Sequence, residues 1–222
     1  MKKLFKGKRG IVGIEAAIVL IAFIIIAAAL SYVVINMGFY TTQKTKETMQ
    51  AGLDESLSSL QLDGVVTAKT NNNSYIEWVV FPVKLSAGKA AFDLKKEALV
   101  VSVYLPNATL LSIYNGIYMN ETGEADLDVL ISGLSETYAM NETDMAAFVM
   151  YNCDSDSVLE SSEKAFLIVH LNETVTAIPN ARHAIADYET VKIEVKGAKG
   201  AALTVVRTAP GGIPKNSHID LG

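Results

Sequence analysis

The chain has 222 residues, half of them hydrophobic, and a formal net charge of −5, which leaves room for one sizeable domain and an extended element. The charge is uneven: once Lys2, Lys3, Lys6, Lys8 and Arg9 are set aside, 14 basic side chains face 24 acidic ones, a balance of −10 that would repel phosphate and excludes nucleic acid as a partner. A single cysteine, Cys153, excludes an intrachain disulfide and reads as a small buried hydrophobe.

The first element in chain order is the most informative. The basic stretch ends at Gly10 and an apolar run begins at Ile11, IVGIEAAIVLIAFIIIAAALSYVV, whose one charge is Glu15. A run of this length can cross about 30 Å of hydrocarbon as a helix. The basic flank should stay in the cytoplasm, which places the bulk of the chain outside. A secretory signal peptide cut near Ala27-Ala28-Ala29 is one alternative, but the run continues through Val33, Val34, Ile35 and Phe39. A plain one-span anchor is another, and it explains neither the Lys-Arg-Gly junction nor Glu15. Lys8-Arg9-Gly10 followed by Ile11-Val12-Gly13-Ile14-Glu15 resembles the class III signal sequence of type IV pilin-like proteins. That resemblance implies a prepilin-type signal peptidase that cuts between Gly10 and Ile11, removes residues 1–10 and leaves the hydrophobic helix on the mature chain.

From Thr41 to Leu62 the sequence turns polar. Met49, Leu53, Leu57 and Leu60 recur at spacings of four, four and three, one apolar stripe on a helix. Asp63-Gly64 is the expected stop. Residues 11–62 then make one rod of about 75 Å at 1.5 Å per residue. Its first part is apolar all round and needs burial on every side, by lipid or by copies of itself. Gly13 and Ala17 offer a small-xxx-small approach for such copies. Glu15 lies four residues from Ile11 on one helix face, so the amine freed by cleavage would be its natural counter-charge, within one chain or between neighbours.

Residues 63–222 read as a β-rich outer domain. The expected strands are 65–70, 75–85, 98–105, 109–119, 146–151, 165–171, 190–195 and 201–208, short, rich in Val, Ile and Tyr, and divided by Asn, Gly, Asp and Ser. Strict alternation over Val191–Lys196 gives that strand one wet face. Lys196-Gly197-Ala198-Lys199-Gly200 is a hairpin turn, with no helix after it to make a phosphate loop. Pro82 marks an edge strand or a bulge, and residues 126–134 form a short helix. Many short strands without long helices between them make a two-sheet sandwich, so the fold class is α+β: a long N-terminal hydrophobic helix, then an antiparallel β-sandwich.

Over nearly its whole length the chain resembles archaellins, the filament subunits of the archaeal flagellum. The likeness rests on the leader junction, on Leu85-Ser86-Ala87-Gly88 with Phe92-Asp93-Leu94, and on Val191-Lys192-Ile193-Glu194-Val195 leading to Gly200-Ala201-Ala202-Leu203-Thr204-Val205-Val206-Arg207-Thr208-Ala209-Pro210. It implies an immunoglobulin-like outer domain and a helical core. It also implies polymerisation with itself or with other archaellins, passage through the membrane, and a membrane-embedded assembly motor that drives swimming. An adhesive type IV-like pilus subunit is the alternative, and a single-copy anchored ectodomain a more distant one. The tail 211–222 has no role in this reading.

Catalytic and metal chemistry are not expected. His170, His183 and His218 lack a ligand or catalytic spacing, and no Ser sits in a nucleophile elbow. Asp154-Ser155-Asp156 with Glu160 and Glu163 lacks the glycine and ligand order of a calcium loop, so a solvated acidic loop is expected. N-linked glycans are the one modification the sequence favours. Asn-X-Ser/Thr sequons stand at Asn72, Asn107, Asn120, Asn141 and Asn172, where 12 Asn and 30 Ser plus Thr predict about 1.6 by chance.

Overall fold

The computed structural model describes residues 9–56, 60–86, 91–120, 123–138, 143–154, 156–160, 162–173 and 182–222, with the side chains of the first helix from Gly13 onward. The chain divides into two units, Met1–Leu53 and Asp54–Gly222.

The first unit is the helix α1, which runs Arg9–Ser56, about 72 Å at 1.5 Å per residue. Its described part ends at Ser56, six residues short of the expected last helical residue, Leu62. Leu60–Leu62 instead form the strand β1, where Leu60 is 2% exposed and Leu62 packs against the same core. Leu60 continued the helical spacing of Met49 and Leu53, yet pairing opposite Leu85 buries it more completely than an exposed helix face could. Leu57 lies outside the described residues.

The second unit holds the remaining strands: β2 (Thr67–Thr70), β3 (Ile76–Leu85), β4 (Ala91–Asp93), β5 (Leu99–Tyr104), β6 (Thr109–Leu110), β7 (Tyr114–Met119), β8 (Met145–Tyr151), β9 (Val158–Glu160), β10 (Lys164–His170), β11 (Thr190–Gly197), β12 (Leu203–Thr208) and β13 (His218–Asp220). Its second helix, α2, spans Leu127–Tyr138. A seven-stranded sheet runs β13-β2-β3-β10-β8-β7, with β1 also on β3, and a four-stranded sheet runs β12-β11-β5-β6. A small pair, β4-β9, completes the set. The pairing is antiparallel except β7 on β8, which is parallel.

The two sheets enclose one core, with Val79, Phe81 and Val83 of β3 and Phe148 and Leu167 facing Val101, Val103, Ile193 and Val195. A second core fills the other face of the larger sheet, where Trp78, Val80, Val149 and Ile168 meet Leu130, Ile131 and Leu134 of α2. The expected sandwich is therefore present with α2 as a third layer. This layering accounts for the sequence patterns. Strands β3, β8 and β10 are covered on both faces and read as unbroken apolar runs. Strand β11 is covered on one face and alternates. The hairpin expected at 196–200 joins β11 to β12, with Gly200 at φ 91.

Three expectations change. β3 is a central strand, and Pro82 is neither on an edge strand nor in a bulge: β2 pairs with residues 76–80 and β1 with residues 83–85, so the missing N–H falls at the seam between them. The Pro82 carbonyl still accepts from Asp63 N at 3.0 Å on that side. The strand expected over 109–119 breaks into β6 and β7 around Ser112, whose φ is 55. The tail 211–222 also acquires a role. Ile213 is buried in the core, Asp187 accepts from Gly212 N and Ile213 N, and Thr70 Oγ1 donates to Pro214 O at 2.7 Å. β13 then pairs with β2, and Leu221 N donates to Val66 O. The tail extends the larger sheet by one strand.

Candidate assembly and modification sites

Over Gly13–Ser56, α1 has an 18-residue window of mean hydropathy 3.1, and none of that window is buried by the chain itself. By length and composition such a helix can cross a membrane. Gly10 and Ile11 stand in its first turns, with their side chains outside the described set. Gly13, Glu15 and Ala17 are all exposed, and a Cβ at Gly13 would meet nothing within 4 Å. Farther along, polar groups are satisfied locally. Ser31, Thr42, Thr45 and Thr48 donate to the carbonyls four residues back at 2.7–2.9 Å, and Lys44 pairs with Glu47 at 3.0 Å. Hydroxyls that already have acceptors can be covered without the desolvation cost of an unmade hydrogen bond.

The five sequons fall in unlike settings. Asn107 is exposed in the turn between β5 and β6, closed by Leu105 N donating to Ala108 O at 2.8 Å. Asn72 is exposed at a loop tip that Asn71 organises: its Oδ1 accepts from Asn73 N and Tyr75 N, both at 2.9 Å. Asn172 is half-buried and its backbone is committed, with its N–H donating to Asp144 Oδ1 at 2.8 Å and its carbonyl accepting from His183 N at 3.0 Å. Asn141 lies outside the described residues. Asn120 is 7% exposed. Its Nδ2 donates to Glu124 O at 2.7 Å and its Oδ1 accepts from Glu124 N at 2.9 Å. Asn120 thus closes the loop before α2, and its side-chain nitrogen is engaged with the Glu124 carbonyl. Its neighbours in sequence carry no sign of this.

Each histidine has a local partner. His170 is buried, lies tilted against Trp78 at 4.4 Å between ring centres and shares its Nδ1 with Thr143 O at 2.8 Å. Burial holds it below the usual histidine range. His183 Nδ1 lies 2.6 Å from Asp144 Oδ2. His218 lies 3.4 Å from Asp128, whose carboxyl is held below the usual range first by Lys69 at 2.7 Å. Glu163 in the acidic loop is buried and accepts from Glu160 N at 2.9 Å and Asp154 N at 3.3 Å, so it staples the loop rather than facing solvent. Among the described residues no three His, Cys, Asp or Glu side chains gather as metal ligands. Cys153 is half-buried against the core.

Comparison with known proteins identifies the whole. Residues 10–207 match the family model for archaeal-type flagellin. The chain is 40% identical over 215 residues to a probable flagellin of Aeropyrum pernix, covering 97% of this chain and 98% of the relative. It is 32% identical to one from Archaeoglobus fulgidus, covering 94% and 93%. The fold is similar to the crystal structure of an archaeal flagellin from Methanocaldococcus jannaschii, with a TM-score of 0.56 and 19% identity over 73% of this chain and 95% of that one. It is also similar to the subunit of the archaeal flagellum of Methanospirillum hungatei, with a TM-score of 0.51 and 23% identity over 90% and 94%. The chain belongs to the archaeal-type flagellin family.

Proposed function

We propose that this chain is a structural subunit of a swimming filament, polymerising with itself or with other archaellins, made as a membrane-held precursor and assembled through α1. A prepilin-type signal peptidase removes residues 1–10 between Gly10 and Ile11. Only that cut discards five cations and keeps the helix, and five cations in an apolar core would be very costly. Lipid covers the helix first. Copies of α1 cover it afterwards, with Gly13 and Ala17 allowing close approach. The outer domain faces solvent and carries its glycans at the exposed sequons Asn72 and Asn107. A membrane-embedded motor assembles and turns the filament.

The observation that carries this reading is an apolar helix left bare by its own chain and joined to a separately packed domain. Glu15 ties assembly to processing. An ionised carboxylate in an apolar bundle costs several kcal/mol unless paired. From Gly13 to Gln43 no Lys or Arg is available, whereas cleavage frees the Ile11 amine four residues away, mostly charged at neutral pH. Glu15→Val should be cleaved and inserted yet assemble poorly, and Glu15→Asp should fall between. Deleting the gene tests the function itself: cells should lose swimming and keep surface attachment. Cells that swim normally but fail to attach would contradict it.

A further inference from the structure

We infer that Asn36 of α1 sets the register of the filament, hydrogen-bonded there to the α1 of a neighbouring copy; this rests on the filament reading above. Over residues 16–40 the strongly hydrogen-bonding side chains are those of Ser31, Tyr32, Asn36 and Tyr40. Ser31 is satisfied within its own helix, by the Ala27 carbonyl at 2.7 Å, and just beyond the stretch Thr42 bonds the Gly38 carbonyl at 2.8 Å. Asn36 is exposed and has no hydrogen-bond partner among the described residues. Its amide carries both an acceptor and donors, and asparagine is among the poorer residues for a helix interior. Nothing in the helix itself accounts for an amide at this position.

On the helix surface Asn36 is ringed by large side chains. Tyr32 and Tyr40 stand four residues to either side, and Val33 and Phe39 three. All four are exposed, the two tyrosines at 70%. A neighbouring helix laid on this patch encloses the amide in an apolar collar, where an unmade hydrogen bond is costly. That helix must then present a polar partner, and only some axial offsets supply one. A second α1 offers three groups not committed to its own backbone: the Tyr32 and Tyr40 hydroxyls and the Asn36 amide. Purely apolar helix faces slide past each other at little cost, whereas one enclosed amide selects a register, as a lone asparagine does in a coiled-coil seam.

Length identifies the occupant of this patch as a second copy and not lipid. Residues 16–43 carry no charge and make about 42 Å of helix at 1.5 Å per residue, against about 30 Å of hydrocarbon. Lipid cannot cover the whole stretch, and every residue in it is exposed in the single chain. Glu15 and Asn36 are 21 residues apart, about 32 Å along the helix. In the membrane-held precursor these two polar side chains therefore stand at opposite boundaries of the hydrocarbon, each within reach of water or headgroups. Asn36 becomes enclosed only when α1 leaves the membrane and other copies surround it. Its hydrogen bond acts on assembly and not on insertion.

The test expresses the full chain and its variants in cells lacking the parent gene, and scores insertion, cleavage and filaments separately. Asn36→Leu should be inserted and cleaved like the parent and should still polymerise, because its helix face is more apolar. Electron micrographs of its filaments should, however, lose the single helical repeat. Asn36→Gln keeps the amide and should restore that repeat. Asn36→Asp should insert and be cleaved normally at the wet boundary, yet filament yield should fall about tenfold or more, because an enclosed carboxylate without a partner is strongly destabilising. Asn36→Leu filaments with the parental repeat would overturn the inference and leave the filament reading intact. Parental filament yield from Asn36→Asp would also overturn it, by showing the site wet in the polymer. So would failure of Asn36→Asp to insert, which would place the residue within lipid. Absence of any filament from the unsubstituted chain would sink both readings.

Discussion

The two units of this chain treat apolar surface in opposite ways. The outer domain buries its own: Phe81, Phe148 and Leu167 are fully enclosed, and even α2 is consumed as a lid. Helix α1 carries the more hydrophobic sequence and buries none of it. Burial of apolar area drives both folding and association, so the difference separates two stabilities within one polypeptide. The domain answers to its own core. In the proposed function the helix answers to its surroundings, first lipid and then other copies. Leu60, four residues beyond the described end of α1, is where the chain changes from one regime to the other.

That separation can be broken by substitutions on either side. Ile24→Lys places an unpaired charge on α1 and should abolish filaments, while the unfolding of the outer domain, followed by the lone tryptophan Trp78, stays where it was. A shift in the Trp78 transition would show that the two units are not independent. Phe148→Ala should do the reverse. It empties the core and should cost about 3–5 kcal/mol in urea unfolding, while the chain is still cleaved and inserted. Asn120→Ala removes both bonds to Glu124 and leaves the Glu124 N–H without that acceptor, while the Glu124 carbonyl keeps the Tyr151 hydroxyl at 2.9 Å, for about 1–3 kcal/mol. Mass spectrometry of the Asn120 peptide should find no sugar, in contrast to the Asn72 and Asn107 peptides.

The smallest expected effect is on pH. His170 is neutral in the fold because burial holds it below the usual range. As pH falls, the unfolded chain takes up that proton first, so stability is full above about 6.5 and declines below it. The Trp78 transition should move to lower urea between about pH 6.5 and 5, more in the parent than in His170→Gln. Because the comparison is between the two proteins, His183 and His218 cancel. Equal slopes would remove His170 as the cause.

How much was legible followed from how local the cause was. The bare helix could be read because an apolar run with one carboxylate has few other meanings. Strands β3, β8, β10 and β11 could be read because burial on both faces or one writes directly into the sequence. Leu60 misled because its spacing fits a helix equally well, and only the partner Leu85 decides. β4, β9 and β13 are three residues each and take their conformation from strands far away in the chain. Pro82 misled for a related reason, since a seam between two partners is a tertiary feature. Asn120 satisfies a modification motif while serving as a loop clamp, which depends on contacts that sequence spacing does not report.

The central claim is that one cut turns a membrane-held helix into a polymer core. Intact mass and N-terminal sequencing of protein from purified filaments test it most directly. The account predicts a chain beginning at Ile11, lacking residues 1–10 and heavier than its sequence by sugar. Filament protein beginning at Met1, or at a residue inside the apolar run such as Leu30, would contradict it.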